Sequence, residues 1–349
     1  MENTARERPA LEEDQDAAAH AEPALMHAAV LVEPGRFEMR EVTLPEPEAH
    51  QVRIRLEGCG VCASNIPPYE GREWFSYPMA PGDLGHEGWG YIDAVGDAVE
   101  GLQVGDRVAA LSFKAYAEYD VADADKVVKL PAALNGKPFP GEALGCAMNI
   151  FRRADIQPGQ TVAVIGVGFL GGALTQLATK AGARVIAISR SRSSLALARL
   201  MGAAEVIEMN DHWEIIEAVK QLTEERFCER VIECTGKQWP IDLAGELTAF
   251  GGKLVVAGFH QDGPRQVNMQ LWNWRGIDVI NAHERDPQVA VEGMRRAVEL
   301  TVSGRFDPSP LFTHRYMLDE IGEALAAVAQ RPDGFTKGLV LMDTGVRYV

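Results

Sequence analysis

The sequence predicts an α/β protein in two parts, a compact, mostly β domain and a doubly wound parallel sheet. Three observations carry this. Residues 26–111 run as short stretches of alternating apolar and polar side chains separated by Pro and Gly breaks. From about residue 155 buried strands alternate with helical segments. The first of those strands ends in a glycine turn, Gly166-Val167-Gly168-Phe169-Leu170-Gly171.

Taken in order, residues 1–25 carry seven acids, two arginines and no apolar segment, so they read as a solvated acidic tail and not as a signal peptide. Strands follow at His27–Val32, Glu38–Val42, Gln51–Leu56, Gly88–Val95 and Arg107–Leu111, the last behind the Val104-Gly105-Asp106 turn. Six apolar strands then recur at Thr161–Ile165, Arg184–Ile188, Glu205–Ile207, Arg230–Cys234, Lys253–Ala257 and Asp278–Ile280. Between them lie helical segments, the first at Gly172–Lys180, so these strands form a full doubly wound unit. The remainder reads as a helix at Val289–Thr301, an extended stretch at Leu311–Tyr316, a helix at Asp319–Ala329 and a strand at Gly338–Met342. The parallel sheet has no need of that last strand, which is expected to return to the β domain.

Composition removes several function classes. A chain of 349 residues with 46% hydrophobic content can bury a sizeable core, and its length suggests two domains. A formal net charge of -16 argues against nucleic acid or an anionic membrane as partner, since both are held by Lys and Arg. No apolar run approaches the roughly 20 residues of a spanning helix. Five cysteines, at 59, 62, 146, 228 and 234, suit metal binding or burial in a reducing, cytoplasmic setting better than disulfides.

The chemistry gathers in residues 57–87. Glu57-Gly58-Cys59-Gly60-Val61-Cys62-Ala63-Ser64-Asn65 opens this span and Gly85-His86-Glu87 closes it, with Cys146 further on. Thiolate, imidazole and carboxylate are the donors of zinc. A catalytic zinc has three protein ligands and keeps the fourth position for water or substrate, and Cys62, His86 and Cys146 are read as those three. The glycine turn directly follows a strand and opens a helix, the setting in which free N–H groups and a helix dipole hold a pyrophosphate.

These motifs, with Val104-Gly105-Asp106-Arg107-Val108 and Glu142-Ala143-Leu144-Gly145-Cys146, stand in an order that resembles the zinc-dependent alcohol dehydrogenases of the medium-chain dehydrogenase/reductase superfamily. The resemblance covers essentially all of Met26–Met342. It implies a GroES-like, mostly β catalytic domain (26–150), a Rossmann cofactor-binding domain (151–285) and a C-terminal segment (286–349) that returns to the catalytic domain. It also implies an active site in the cleft, and a homodimer or homotetramer. Cys62, His86 and Cys146 match the zinc ligands, Glu87 the carboxylate that can transiently coordinate the metal, and Ser64 the hydroxyl that passes the alcohol proton outward. A fourth protein ligand is expected from Glu87 or, as in polyol dehydrogenase relatives, from Glu142. Cys59 matches a non-ligand position, and Cys228 and Cys234 read as core residues.

The chain departs from the family at three points. No four-cysteine lobe follows Val108, so one catalytic zinc and no structural zinc is expected. Asn65 stands where aspartate is usual, and Ile66-Pro67-Pro68 replaces the stretch that carries a relay histidine. The activity implied is reversible hydride transfer between a nicotinamide and an alcohol or carbonyl substrate, with zinc as Lewis acid and Ser64 as first proton acceptor. A zinc-free reductase of quinones or activated double bonds is the alternative, although it would not need the three ligands together. A non-catalytic nucleotide-binding protein is a more remote one.

Cofactor choice turns on the end of the second parallel strand. An NAD site places a carboxylate about 20 residues after the glycine turn. Here Ser189 holds that position, with Arg190 and Arg192 after it, which favours NADP(H) over NAD(H). The cofactor-binding set is therefore Gly166, Gly168, Phe169, Leu170, Gly171, Ser189 and Arg190. Trp74, Phe75 and Phe113 are candidates to line a small-molecule pocket or to pack in the core. A secondary alcohol, polyol or cyclic sugar alcohol is preferred over a small primary alcohol.

Overall fold

The computed structural model describes residues 23–343, so most of the acidic tail lies outside the described residues. β1 (Leu25–Glu33) and β2 (Arg36–Thr43) form an antiparallel hairpin around Pro34-Gly35. There follow β3 (Gln51–Gly60), α1 (Ile66–Glu70), β4 (Gly88–Val95), β5 (Arg107–Ala110), β6 (Tyr119–Asp123), β7 (Val127–Lys129) and α2 (Gly141–Ala154). The next run is β8 (Thr161–Ile165), α3 (Phe169–Lys180), β9 (Arg184–Ser189), α4 (Arg192–Leu200), β10 (Glu205–Glu208), α5 (His212–Leu222) and β11 (Cys228–Glu233). It continues with α6 (Gln238–Leu247), β12 (Thr248–Val256), α7 (Met269–Arg275) and β13 (Asp278–Asn281). The chain ends in α8 (Pro287–Val302), β14 (His314–Met317), α9 (Ile321–Gln330) and β15 (Gly338–Leu341).

The six strands β8–β13 form one parallel sheet in the order β10-β9-β8-β11-β12-β13, the doubly wound arrangement. Alternate side chains of β8 serve opposite faces. Val162 and Val164 pack with Leu174, Ala178 and Val185, while Ala163 and Ile165 pack with Ile186, Ile188 and Leu254. Burial on both faces is why these strands read as continuous apolar runs. Strand order reverses between β8 and β11, and their C-terminal ends open the crevice in which such sheets bind ligands. α3 begins at Phe169, inside the glycine turn and three residues ahead of the Gly172 start read from the sequence. No side chain caps it, which leaves its first N–H groups available to an anion.

A second sheet runs β14-β15-β3-β4-β5-β7, with β6 also on β3. Here β15 pairs antiparallel with the end of β3, so the last strand does return to the β half. Val52, Ile54 and Leu56 alternate inward along β3, and after an irregularity at Leu56/Gly58 every residue to Gly60 is buried. Glu57, caught in that buried stretch, accepts from Arg107 Nε at 2.6 Å; the other nitrogens of Arg107 reach the carbonyls of Leu134 and Lys137 at 2.7 and 2.8 Å. α2 crosses residue 150 without a break and packs on α8, where Gly145 permits contact so close that a Cβ there would lie 2.7 Å from Met294 N. The helix that carries Glu142 and Cys146 is thereby fixed between the two sheets.

Arg107→Met should strand the Glu57 carboxylate and two carbonyls in the interior, at a cost of about 3–5 kcal/mol in urea unfolding. A loss under about 1 kcal/mol would show that the pair does not hold the β half together.

Candidate active site

Cys62 follows the buried end of β3, and two backbone hydrogen bonds pin the residues before it. Gly60 N donates to Glu87 O at 3.2 Å and Val61 N to Gly338 O at 3.0 Å. His86 and Glu87 sit just ahead of β4, behind Leu84, which takes a left-handed φ of 78°. The outcome is a tight cluster. One ligand atom each of Cys62, His86 and Glu87 lies within 4.8 Å of the other two.

Each member has a support that orients it. His86 Nδ1 lies 2.9 Å from Leu84 O, and since a carbonyl only accepts, Nδ1 carries the proton and Nε2 is left as the ligand atom. Asn65 Nδ2 donates to the same carbonyl at 3.1 Å, and Tyr116 OH donates to Asn65 Oδ1 at 2.8 Å. Asn65 therefore acts on the carbonyl that holds His86, through a neutral chain. Glu87 is fully buried, and Lys337 Nζ lies 2.6 Å from each of its oxygens. A Cβ on Gly60 would fall 1.8 Å from Glu87 Oε2, so only glycine leaves room for the carboxylate.

α2 supplies Glu142 and Cys146, four residues apart and so on one helix face. Both are half-buried, and their ligand atoms lie outside the 4.8 Å triad. They still feel the cluster. Burial, then Glu142, Cys62 and Glu87, push the Cys146 thiol well above its ordinary value. Burial raises the Glu142 carboxyl, Glu87 adds to the rise, and His86 works against it. Burial would also raise the Cys62 thiol, but the hydrogen bond and charge of His86 outweigh it and bring it down. Burial opposes the His86 charge, yet Cys62 raises that imidazole to about 10. A thiol, an imidazole and a carboxylate with a buried oxygen lacking an aligned donor are a donor set that fits zinc, and the Cys146 thiol on α2 stands outside that triad.

The nucleotide side lies across the crevice. Gly166 has φ 91°, and a Cβ on Gly171 would lie 2.0 Å from Gly166 O, while a Cβ on Gly168 would meet nothing within 4 Å. The open side at Gly168 is the side on which a pyrophosphate can approach the backbone. Phe169 stacks on Phe312 and lies under Lys337 Nζ at 4.8 Å, joining the glycine turn to the metal cluster; Leu170 packs into the core. Ser189 is buried and accepts from Val167 N at 3.5 Å, and Arg190 and Arg192 are exposed. Ser64 is half-buried in a short turn over 63–65. Trp74 and Phe113 are 62% and 67% exposed, which excludes core packing, and Phe75 is half-buried beside Trp74. Lys337 and Tyr116 are the site residues that sequence reasoning missed. Neither stands in a motif, and only the return of β15 and the packing behind Leu84 bring them in.

Residues 48–132 match the alcohol dehydrogenase GroES-like domain, and residues 170–299 match the zinc-binding dehydrogenase family. A sorbitol dehydrogenase of Halalkalibacterium halodurans is 27% identical over 84% of this chain and 93% of its own length. An alcohol dehydrogenase of Cupriavidus necator is 28% identical over 90% of this chain and 98% of its own. The crystal structure of a putative zinc-binding dehydrogenase from Sinorhizobium meliloti, bound to NADP, superposes with a TM-score of 0.79 at 25% identity. It covers 91% of this chain and 99% of that one.

Thiol and imidazole bind a metal only in their deprotonated forms, so a metal that takes this set releases protons. Zinc affinity, measured by chelator competition, should therefore rise from about pH 6 to about pH 8. An affinity flat across that window would contradict this ligand set.

Proposed function

Because the chain belongs to the zinc-dependent alcohol dehydrogenases of the medium-chain dehydrogenase/reductase superfamily, we propose that it oxidises a secondary alcohol or polyol, reversibly, with NADP(H) as the preferred nicotinamide. The observation that carries this is the Cys62, His86, Glu87 cluster, joined through Lys337 to Phe169 of the glycine turn. Cys62, His86 and Cys146 are the residues assigned to one zinc, with Glu87 or Glu142 as a further oxygen donor. When bound, the metal supplies Lewis-acid polarisation of the substrate oxygen. Lys337 balances Glu87 and keeps that carboxylate beside the ligands. Ser64, two residues past Cys62, is the assigned acceptor of the alcohol proton. The uncapped N–H groups at the start of α3 hold the pyrophosphate, and Ser189 and Arg190 take the 2′-phosphate. The polyol preference draws on Glu142 as a fourth donor and on the likeness to a sorbitol dehydrogenase.

The partner assigned is a second copy of the chain. β13 pairs only with β12 among the described residues and is the sheet's edge, with Val279 exposed on it, and α7 buries no residue and leaves Met269 and Trp274 exposed. An edge of this kind is covered when two copies pair. Light scattering should give a dimer for the wild type and a monomer for Val279→Lys; a monomeric wild type would remove the assignment.

The activity is tested with a panel of polyols, secondary alcohols and their ketones, each with both nicotinamides. Turnover should be found for a polyol or secondary alcohol, with the higher kcat/KM on NADP. Cys62→Ser should lose more than about a hundredfold, the upper range for an outer-shell support alone. Undiminished turnover in that variant would overturn the zinc reading, and a higher kcat/KM on NAD the cofactor reading.

A further inference from the structure

The turn between α9 and β15 belongs to the C-terminal segment, yet it is fastened to the nucleotide side. Ser193 Oγ donates to Asp333 Oδ1 at 2.6 Å, and Gly334 N donates to Ser193 Oγ at 3.0 Å. Ser193 stands in the first turn of α4, three residues past Arg190. Arg331 opens the turn, in a left-handed conformation with φ 48°, as the C-cap of α9.

These contacts bring two arginines to one place. Both Arg190 and Arg331 are exposed, and among the described residues neither guanidinium has an ion pair or a hydrogen bond. Asp333, the carboxylate on the same turn, is engaged with Ser193. Crowding by the surrounding protein and then the Arg190 charge hold the Arg331 guanidinium below its ordinary value, while Cys62 pulls the other way. Two like charges brought to adjoining segments by a structured turn, neither of them paired with a carboxylate among the described residues, call for an anion from outside the chain. The position beside Ser189 and Arg190, at the end of β9, selects which anion.

We propose that Arg331 completes, with Arg190, the binding site for the 2′-phosphate of NADP(H). This rests on the nicotinamide-dehydrogenase reading and extends it. The phosphate is then held from two parts of the fold at once, by Arg190 next to β9 and by Arg331 at the end of α9. Cofactor selection is a property of the C-terminal turn as much as of the second parallel strand.

The test is titration of NADPH, NADH and 2′,5′-ADP into the wild type, Arg331→Leu and Arg331→Lys, followed by tryptophan fluorescence, with thermal melts to confirm folding. Arg331→Leu should weaken NADPH and 2′,5′-ADP about ten- to a hundredfold, as loss of a charge-assisted bond to a phosphate does. NADH should change by less than about twofold, and Arg331→Lys should recover part of the loss. Unchanged NADPH affinity in Arg331→Leu would overturn the proposal. So would an equal loss for NADPH and NADH, which would put the contact on the pyrophosphate. A wild type that binds neither dinucleotide would overturn the dehydrogenase reading itself, an outcome distinct from both.

Discussion

Burial of the Glu87 carboxylate beside Cys62 and His86 is the constraint around which the rest of the molecule is arranged. A carboxylate removed from water needs a countercharge and hydrogen bonds, or its desolvation exceeds anything packing returns. Lys337 supplies that charge from the far end of the chain, 250 residues away. To bring it there, β15 has to pair with the end of β3, and β3 has to end in glycine so that the carboxylate has space. The two-sheet architecture with a returning C-terminal strand is the geometry that satisfies this pair.

The same pair couples the metal side to the cofactor side. Lys337 Nζ sits over the ring of Phe169, whose backbone opens α3 at the glycine turn. The side chain that neutralises Glu87 therefore also lies over a ring at the helix N-terminus assigned to the pyrophosphate. The cation–π contact is worth about 0.5–2 kcal/mol, small beside the charge pair, so its contribution is to orient Lys337 and not to hold it. His86 is treated differently. Its support is a carbonyl held by Asn65 and Tyr116, so the hydrogen-bond chain behind the imidazole is neutral throughout.

What could be read in the sequence was whatever repeats or is local. The parallel strands were legible because burial on both faces writes continuous apolar runs, and the glycine turn because three glycines stand at fixed spacing after one of them. Cys62 and His86 were legible as ligands, and Glu87 as the carboxylate beside them, because they fall within 26 residues of one another, whereas Cys146, read as the third ligand, lies outside the triad. Lys337 was not, since a single lysine before a short strand carries no period and its partner is decided by sheet register. Asn65 was legible as a departure and not as a contact, because the carbonyl it binds is presented by a left-handed Leu84 that no sequence pattern announces. Trp74 and Phe113 left two readings open, and exposure decides between them: large rings that face solvent at 62% and 67% do not fill a core.

The overall charge explains why the cations have to be placed locally. With a formal net charge of -16 the molecule as a whole repels a polyanionic dinucleotide. At physiological ionic strength that repulsion is screened beyond about 8 Å, so what the cofactor meets in the crevice is set by its immediate neighbours. The groups assigned to it are the uncapped N–H groups of α3, Lys337 above Phe169, Arg190 after β9 and Arg331 at the end of α9. All but one of these cations come from, or are fastened by, the C-terminal turn. On that assignment a chain this acidic gathers its cofactor-binding charge from two parts of the fold, and the affinity of the site depends on their staying together.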